Sequence, residues 1–366
     1  MKYFLILLLG VITSCTNSNT VVSIQNDQFL INNSLTYKGR YWNGNRVEGL
    51  LLNSRMVNGI FDDLNPDTQS RWNYPDTKKW DADRNTNEFV EHMALWKSYG
   101  LNSFTLNLQG GSPTGYGNGK TINSAFDPKG NLHPAFMDRL RRVLDKANEL
   151  EMVVILGYFY FGQDQYLEDE QAVINGVKNA TQWILENGYQ NVLVEVNNEC
   201  NVKSYDHEIL KADRVHELID IVKSINIDGR RLLVSTSYKG CFVPLENVVQ
   251  TADYILLHGN GARPSKVRQM VADVKKVNGY KGQPIVFNED DNYNYSDDEN
   301  NFKVAVECYA SWGYFDFRRV GNRAKKEGVT EETDPNIGYQ SVPVNWGISH
   351  ERKQEFFDYV KEISGT

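Results

Sequence analysis

Eight short apolar runs alternate with segments of helical spacing along most of this chain, and no other feature constrains the fold as strongly. Each run is rich in β-branched or aromatic residues, which is typical of strands buried on both faces of a parallel sheet. Because parallel strands need a crossover connection, this alternation predicts a series of βα units. The runs cover residues 49–54, 101–108, 152–161, 191–197, 230–237, 253–259, 284–289 and 313–318.

The segments between the runs place their apolar residues at the period of an α-helix. In residues 134–150, for example, Phe136, Leu140 and Val143 fall on one face of a helix with about 3.6 residues per turn. Such a stripe packs against a sheet, so each segment predicts a helix that covers the strands. These helices are expected over residues 86–99, 134–150, 168–186, 206–225, 264–277, 298–310 and 349–363.

Eight strands alternating with helices predict an α/β fold, a (β/α)8 TIM barrel that occupies residues 28–366 as one catalytic domain. A doubly wound open sheet is the competing fold, but no run is followed by a GxGxxG or GxxxxGK[ST] loop. A short β-hairpin is expected before the barrel, in residues 29–42. The first and eighth βα connections, residues 55–85 and 319–348, are long and are expected to shape a cleft on the active face.

The amino terminus has the pattern of a targeting segment. Residues 1–14 carry a lysine and a short apolar run, and this run is too brief for a membrane span of about 20 residues. The sequence ending at Cys15 resembles a bacterial lipoprotein lipobox, which implies that Cys15 is lipidated and that residues 15–27 form a tether. The protein is then anchored to a bacterial membrane, on either side of the outer membrane; a plain secretory signal is the alternative.

Composition limits the partners and cofactors of the chain. With 39 basic and 47 acidic residues the net charge is −8, and no basic patch appears in the sequence, so nucleic acid is a poor partner. No CxxC pair or HxH pair suggests a metal, and no cofactor is expected. Cys200 and Cys241 could pair if their loops meet, or they are ordinary thiols. The protein is expected to be a monomer.

Two glutamates end predicted strands on opposite sides of the barrel. The fourth run continues into Glu199, and the seventh ends at Glu289. Catalytic groups of TIM barrels lie at the carboxyl ends of strands, so these two side chains can converge at the barrel mouth. Glycosidic cleavage requires such a pair, one carboxyl to protonate the leaving oxygen and one to attack or to activate water. Alternate residues of a strand point to the same face, which predicts that Glu195, Asn197 and Glu199 all point the same way.

The segments VEVNNE and PIVFNE resemble the strand-four and strand-seven signatures of clan A retaining glycoside hydrolases, the superfamily of the family 5 cellulases and mannanases. The resemblance covers most of the chain. It implies that Glu199 is the acid/base, that Asn198 binds the sugar 2-hydroxyl and that Glu289 is the nucleophile.

The chain departs from the family 5 pattern at several positions, which indicates a divergent member. Asn260 stands where a tyrosine usually orients the nucleophile, after His258, a candidate substrate-binding residue. On the second strand, Asn107 stands near the position of the usual arginine, and Arg55 could replace that charge from the first strand.

Aromatic residues make up 12% of the chain, and sugar rings stack on flat aromatic side chains. Several aromatics fall at strand ends, where they are candidates to line a sugar-binding cleft. Trp312, before the eighth run, is the best candidate, because clan A enzymes place a tryptophan near this strand. The other candidates are Tyr160, Tyr238 and Tyr293.

The sequence therefore predicts a lipid-anchored retaining glycoside hydrolase that cleaves O-glycosidic bonds, β-linked by resemblance, in a poly- or oligosaccharide. A glycan-binding lipoprotein without activity and a clan A transglycosidase are the alternatives. The retaining mechanism predicts carboxyl groups about 5–5.5 Å apart.

Overall fold

A computed structural model describes residues 19–366. The expected signal peptide, Cys15 and the first residues of the expected tether lie outside the described residues. Eight parallel strands form the centre of the described chain, and each predicted run contains or overlaps one of them. Five short strands precede them: β1 (Val22–Gln25), β2 (Gln28–Ile31), β3 (Ser34–Leu35), β4 (Tyr41–Trp42) and β5 (Asn45–Arg46). The barrel strands are β6 (Asn53–Arg55), β7 (Ser103–Asn107), β8 (Val153–Tyr160), β9 (Val192–Asn198), β10 (Leu233–Ser235), β11 (Ile255–His258), β12 (Ile285–Glu289) and β13 (Gly313–Tyr314).

The order of these strands is that of a closed barrel. Six of them form one sheet in the order β10-β9-β8-β7-β6-β13, and β11 pairs with β12. All of these pairs are parallel. Single parallel bridges, such as the one between Asp290 and Tyr314, join the β12 side to β13. The first strand thus lies beside the eighth, which confirms the predicted (β/α)8 fold.

Helices follow the strands as the periodicity predicted, with shifted ends. The longest, α1 and α3, start at aspartates whose side chains accept a backbone N–H of the first turn, Asp81 from Arg84 and Asp169 from Ala172. Two short helices, α5 and α8, were not predicted, because six residues give too little periodic signal. The helices are α1 (Ala82–Ser98), α2 (Pro134–Glu149), α3 (Glu170–Glu186), α4 (Val215–Ser224), α5 (Glu246–Thr251), α6 (Pro264–Val274), α7 (Asn301–Glu307), α8 (Asn322–Glu327) and α9 (Glu351–Ser364).

Apolar side chains fill two regions. A small cluster that includes Val153, Ile155 and Leu193 fills the barrel interior, and a much larger cluster packs the outer face of the strands against the helices. This layered burial is the usual solution for a TIM barrel. It leaves the carboxyl ends of the strands free to carry polar groups.

The expected tether is partly folded, which corrects the predicted domain boundary. Residues 22–25 form β1, which pairs antiparallel with β2, and β2 pairs with β3. The backbone N–H of Val22 also donates to the carbonyl of Gln190, beside the start of β9. The folded part therefore begins at least six residues before position 28, and the single predicted hairpin is a three-stranded sheet followed by the β4–β5 hairpin.

Three long connections, rather than two, lie at the carboxyl ends of the strands. Besides the predicted loops after β6 and β13, residues 108–133 separate β7 from α2. This segment was not predicted, because its glycine and serine residues show no helical or strand periodicity. Cys200, Cys241 and Cys308 are free thiols in the structure. Among residues 19–366, no helix combines the length and apolar character needed to cross a bilayer.

Candidate active site

Glu199 and Glu289 lie at the carboxyl ends of two barrel strands and face each other. Glu199 follows β9 directly, and Glu289 is the last residue of β12. One carboxylate oxygen of Glu199 and one of Glu289 lie within 4.8 Å of each other and of a ring nitrogen of His258. The Glu199 side chain is 14% exposed, whereas that of Glu289 is 5% exposed. One carboxyl can therefore reach solvent while the other is enclosed.

The backbone holds Glu199 in an unusual conformation. Its φ angle is +54°, in the left-handed region that non-glycine residues seldom occupy. Ser237, which follows β10, stabilises this turn, since its hydroxyl accepts the Glu199 N–H at 2.9 Å and its carbonyl accepts the N–H of Cys200. Strained backbone of this kind concentrates at functional sites, where neighbouring structure fixes it.

Arg55, the last residue of β6, links the two halves of the site. Its Nε lies 2.7 Å from Oε2 of Glu289, and its Nη2 donates to Oδ1 of Asn198 at 2.7 Å. The guanidinium is fully buried. A planar guanidinium with several donors can hold a carboxylate and an amide at once, so it fixes Asn198 and Glu289 relative to each other.

His258 and Asn260 contact the same carboxylates from the sixth strand. The Nδ1 atom of His258 lies 3.0 Å from Oε1 of Glu199 and 3.5 Å from Oε2 of Glu289. The amide of Asn260 donates to Oε1 of Glu289 at 2.5 Å. Asn260, which stands where family 5 members usually have a tyrosine, therefore contacts the Glu289 carboxylate directly. In the sequence, these contacts were indicated by two polar residues at the carboxyl end of β11, His258 and Asn260.

Burial and charge shift the pKa values of these groups in opposing directions. Burial raises the pKa of Glu289, and the positive charges of Arg55 and His258 oppose that rise without cancelling it. Burial lowers the pKa of His258, but the charge of Glu289 and the hydrogen bond to Glu199 outweigh it, so the net pKa is raised. The site is thus a cluster in which each charge depends on its neighbours.

The sequence predicted that Glu195, Asn197 and Glu199 point to the same side of β9, and this prediction is wrong for Asn197. Glu195 points into the barrel, where its Oε2 accepts from Asn288 at 3.1 Å. Asn197 instead donates to the carbonyl of Leu210 and accepts from Thr236 outside the barrel, and it is Asn198 that faces Arg55. The two-residue alternation therefore does not extend to Asn197 and Asn198, although β9 stays paired with β8 up to Asn198.

Other predicted residues lie around this centre with different exposure. Tyr160, at the end of β8, is buried, and its hydroxyl shares a 2.8 Å hydrogen bond with Ser112. Asn107 is buried in the barrel, and both of its amide atoms lack a hydrogen-bond partner. Tyr293 is partly exposed and lies under the guanidinium of Arg352 at 4.8 Å.

Two predicted sugar-binding aromatics are corrected by the structure. Trp312 is fully buried, stacks on Phe302 with ring centroids 4.6 Å apart, and donates to Asp290 at 2.9 Å. Tyr238 is 2% exposed and packs beside Cys200. Trp312 precedes β13 and therefore packs against α7 in the outer core, so it is not available to a sugar. The sequence indicated that Trp312 lies next to this strand, but not which way its side chain points.

The carboxylates and His258 also have the donor types of a metal site. However, the Arg55 guanidinium already contacts Glu289, and a second cation there would be repelled. The arrangement therefore fits an internally compensated ion-pair cluster better than a cation site.

A cavity of about 650 Å³ opens on the same end of the barrel. Its walls come from the loops after β6, β7 and β13, and they include Trp72 and Tyr116. The Tyr116 hydroxyl donates to Asp291 at 2.8 Å, two residues after Glu289. Tyr116 therefore links the wall of this cavity to the segment that follows Glu289. Contrary to the expectation from the sequence, its lining contains a cluster of basic residues.

Comparison with known proteins shows similarity of structure only. No protein-family model matches the chain, and no curated protein matches its sequence. Among solved structures, a family 5 glycoside hydrolase from Bacteroides vulgatus is similar to 94% of this chain over 71% of its own length, with a TM-score of 0.56 and 13% identity. A GH5-4 broad-specificity endoglucanase from Ruminococcus flavefaciens gives a TM-score of 0.56 and 15% identity, over 87% of this chain and 97% of the endoglucanase.

A β-glucanase from Saccharophagus degradans is also similar, with a TM-score of 0.53 and 12% identity over 94% of this chain and 93% of that one. At such low identity these matches establish the fold alone. The chain therefore has the (β/α)8 barrel that its family 5 glycoside hydrolase neighbours have, and its chemistry has to be argued from its own residues.

Proposed function

We propose that this protein is a retaining glycoside hydrolase that cleaves β-linked O-glycosidic bonds in a poly- or oligosaccharide. The separation of Glu199 and Glu289 carries this proposal. One oxygen of each carboxylate lies within 4.8 Å of the other, which suits the separation of about 5–5.5 Å in retaining enzymes better than the roughly 6.5–9.5 Å of inverting ones. The shorter separation suits direct attack on the anomeric carbon.

In the first step, Glu289 attacks the anomeric carbon while Glu199 protonates the glycosidic oxygen, so that the leaving group departs as an alcohol. The attacking carboxylate must be ionised. Arg55, His258 and Asn260 all contact Glu289 and stabilise its anion against the cost of burial. These contacts also hold the carboxylate in one orientation, which favours attack along a single line.

In the second step, Glu199 removes a proton from water, the water attacks the anomeric carbon, and Glu289 leaves as a carboxylate. The partial exposure of Glu199 supports this role, because the group must exchange protons with the leaving alcohol and with water. Asn198, held by Arg55, is placed beside the reacting sugar, where its amide can bind a hydroxyl.

We further propose that the protein works as a single-domain monomer, tethered to a bacterial membrane through a lipid on Cys15. Support for the anchor comes from the lipobox pattern in the sequence. Labelling with a radioactive fatty acid in a bacterial host, with Cys15→Ser as the control, tests this part.

The central experiment measures hydrolysis of a panel of β-linked polysaccharides and oligosaccharides and follows the product anomer by NMR. We expect retention of configuration, and a loss of kcat of about 10³-fold in both Glu199→Gln and Glu289→Gln. Glu186→Gln, on the exposed end of α3, is the matched control and keeps full activity.

Three outcomes would contradict the proposal or modify it. Inversion at the anomeric carbon would exclude Glu289 as nucleophile. Binding of glycans by the unmutated protein without turnover would indicate a glycan-binding protein. Transfer to an added acceptor sugar, at the expense of hydrolysis, would indicate a transglycosidase.

A further inference from the structure

The cavity beside Tyr116 has a charge opposite to that of the whole protein. The chain carries a net charge of −8, yet four basic side chains and one acidic side chain line this cavity of about 650 Å³. The basic residues come from separate loops, which explains why the sequence showed no basic patch. They are Arg71 from the loop after β6, and Arg318, Arg323 and Lys326 from the segment after β13.

Arg318 is the most informative of these residues. It is only 5% exposed, and its guanidinium donates to the backbone carbonyls of Thr333, Ser341 and Pro343. Its Nε has no hydrogen-bond partner, and among residues 19–366 no carboxylate oxygen lies within 4 Å of it. Carbonyl groups orient a guanidinium without neutralising its charge. Asp334 and Glu332 attract this guanidinium from beyond ion-pair distance, but burial outweighs them and lowers its pKa to about 10. A buried cation without a contacting counter-ion is costly, and a bound anion relieves that cost.

The other basic residues extend this positive region toward solvent. Arg71 and Lys326 are exposed, and neither forms an ion pair within the described part of the chain. Arg323 pairs with Glu327 and lies over the Tyr116 ring, with its guanidinium carbon 4.6 Å from the ring centroid. The cavity thus combines one enclosed cation with two free ones at its rim.

Tyr116 joins the wall of the cavity to the segment that follows Glu289, because its hydroxyl donates to Asp291. This tyrosine lines the cavity, and burial together with the charges of Asp291 and Glu289 raises the pKa of its hydroxyl. Trp72 contributes a second aromatic side chain to the same wall. Because Trp72 is buried and the Arg323 guanidinium covers the Tyr116 ring, recognition in this cavity rests on its cationic groups rather than on stacking.

We propose that this cavity binds an anionic sugar unit of the substrate, so that the enzyme acts on an acidic glycan rather than a neutral one. The negative group is a carboxylate of a uronic acid or a sulfate ester, and both are recognised by the planar guanidinium of arginine. This inference rests on the proposed glycoside hydrolase function, and it names the substrate class for the same site.

The test uses Glu199→Gln to measure binding without turnover. Titration calorimetry with a β-1,4-linked tetraglucuronate, a sulfated cellotetraose and cellotetraose compares a carboxylate, a sulfate and a neutral ligand on the same linkage. We expect one anionic ligand to bind at least about tenfold more tightly than cellotetraose, because hydrogen bonds to charged groups contribute more than neutral ones. That difference should decrease as salt is added.

Variants locate the interaction. In the Glu199→Gln background, Arg318→Gln should reduce the affinity for the anionic ligand about tenfold. Because Arg318 is buried and its variant can unfold, the double variant Arg71→Gln/Lys326→Gln at two exposed positions is measured in parallel. It should also lower the affinity for the anionic ligand without changing the affinity for cellotetraose. Arg268→Gln, an exposed arginine on α6, is the control and should have no effect.

The outcomes separate this inference from the proposed function. Equal binding of the three ligands, or no effect of the Arg71/Lys326 pair, overturns the anionic-substrate inference even if neutral glycans are hydrolysed. Selective binding of an anionic ligand that depends on these residues supports the cavity inference, even if no turnover is found and the proposed hydrolase function fails.

Discussion

Arg55 and Glu289 form a buried ion pair, with 2.7 Å between Nε and Oε2, that joins the carboxyl ends of the first and seventh barrel strands. The second arm of the same guanidinium holds Asn198. One side chain therefore sets both the charge of the proposed nucleophile and the position of the residue beside the proposed acid/base.

We expect Arg55→Lys to lower kcat by about 100-fold, because a single ammonium group cannot hold Glu289 and Asn198 at the same time. Steady-state kinetics on an active substrate provide the measurement. Arg142→Lys, at an exposed ion pair on α2, is the control. Unchanged kinetics in Arg55→Lys would show that the positive charge alone is sufficient.

His258 should make stability depend on pH. Its pKa is raised in the folded protein, so its charged form stabilises the fold below its unfolded pKa of about 6.5, and this contribution is lost as the pH rises through the folded pKa. The free energy of unfolding of His258→Gln should therefore differ most from that of the unmutated protein near pH 6, by about 2 kcal/mol. Denaturant unfolding across the pH range measures the difference, with His133→Gln as control. A difference that grows at alkaline pH would have the wrong sign.

Asp290 should contribute a pH dependence of the same sign as His258, but over a more acidic interval. Burial raises its pKa to about 7, despite hydrogen bonds from Trp312, Asn292 and Asn301. The folded protein then holds a proton that the unfolded chain releases above about pH 4, so this group makes stability fall from pH 4 to pH 7. In Asp290→Asn the melting temperature should vary less with pH over that interval. Asp220→Asn, at an exposed position on α4, should leave the dependence of the melting temperature on pH unchanged. A profile equally steep in both variants would contradict the assignment.

Trp312→Phe distinguishes core packing from sugar binding. The variant loses the hydrogen bond to Asp290 and part of the stacking on Phe302, so we expect the free energy of unfolding to fall by about 2 kcal/mol. KM should change less than twofold if the folded variant retains its site. A large rise in KM without loss of stability would return Trp312 to the substrate-binding surface. Chemical denaturation and steady-state kinetics on the same preparation make the comparison, and Trp183→Phe on α3 serves as the control.

Divalent metal ions should inhibit rather than activate. The donors of Glu199, His258 and Glu289 lie within 4.8 Å of one another, but the Arg55 guanidinium already neutralises part of the cluster. Added Zn²⁺ can compete with that guanidinium for the carboxylates and block the proposed nucleophile. We expect excess EDTA to leave activity unchanged and to reverse inhibition by Zn²⁺. Loss of activity in EDTA, restored by one metal, would indicate a metal-dependent site.

The sequence by itself determined the barrel, because its signals are local and repeated. Eight apolar runs indicate strands, and the helical stripes between them indicate crossovers, so few other folds are compatible. The positions of Glu199 and Glu289 at strand ends follow from the same pattern, since all parallel strands end on one face. The closed barrel brings one oxygen of each carboxylate within 4.8 Å of the other.

Only the tertiary structure decided which side chains face the site. Side-chain direction depends on strand bends and loop paths, which leave no periodic signal: Asn197 turns outward at the end of β9, and Trp312 enters the outer core. The same holds for the basic cavity, because Arg71 and Arg318 belong to loops far apart in the chain and meet only when the barrel closes. Local sequence fixes what an element is, whereas packing between distant elements fixes which groups share a cavity and which charges remain without a partner.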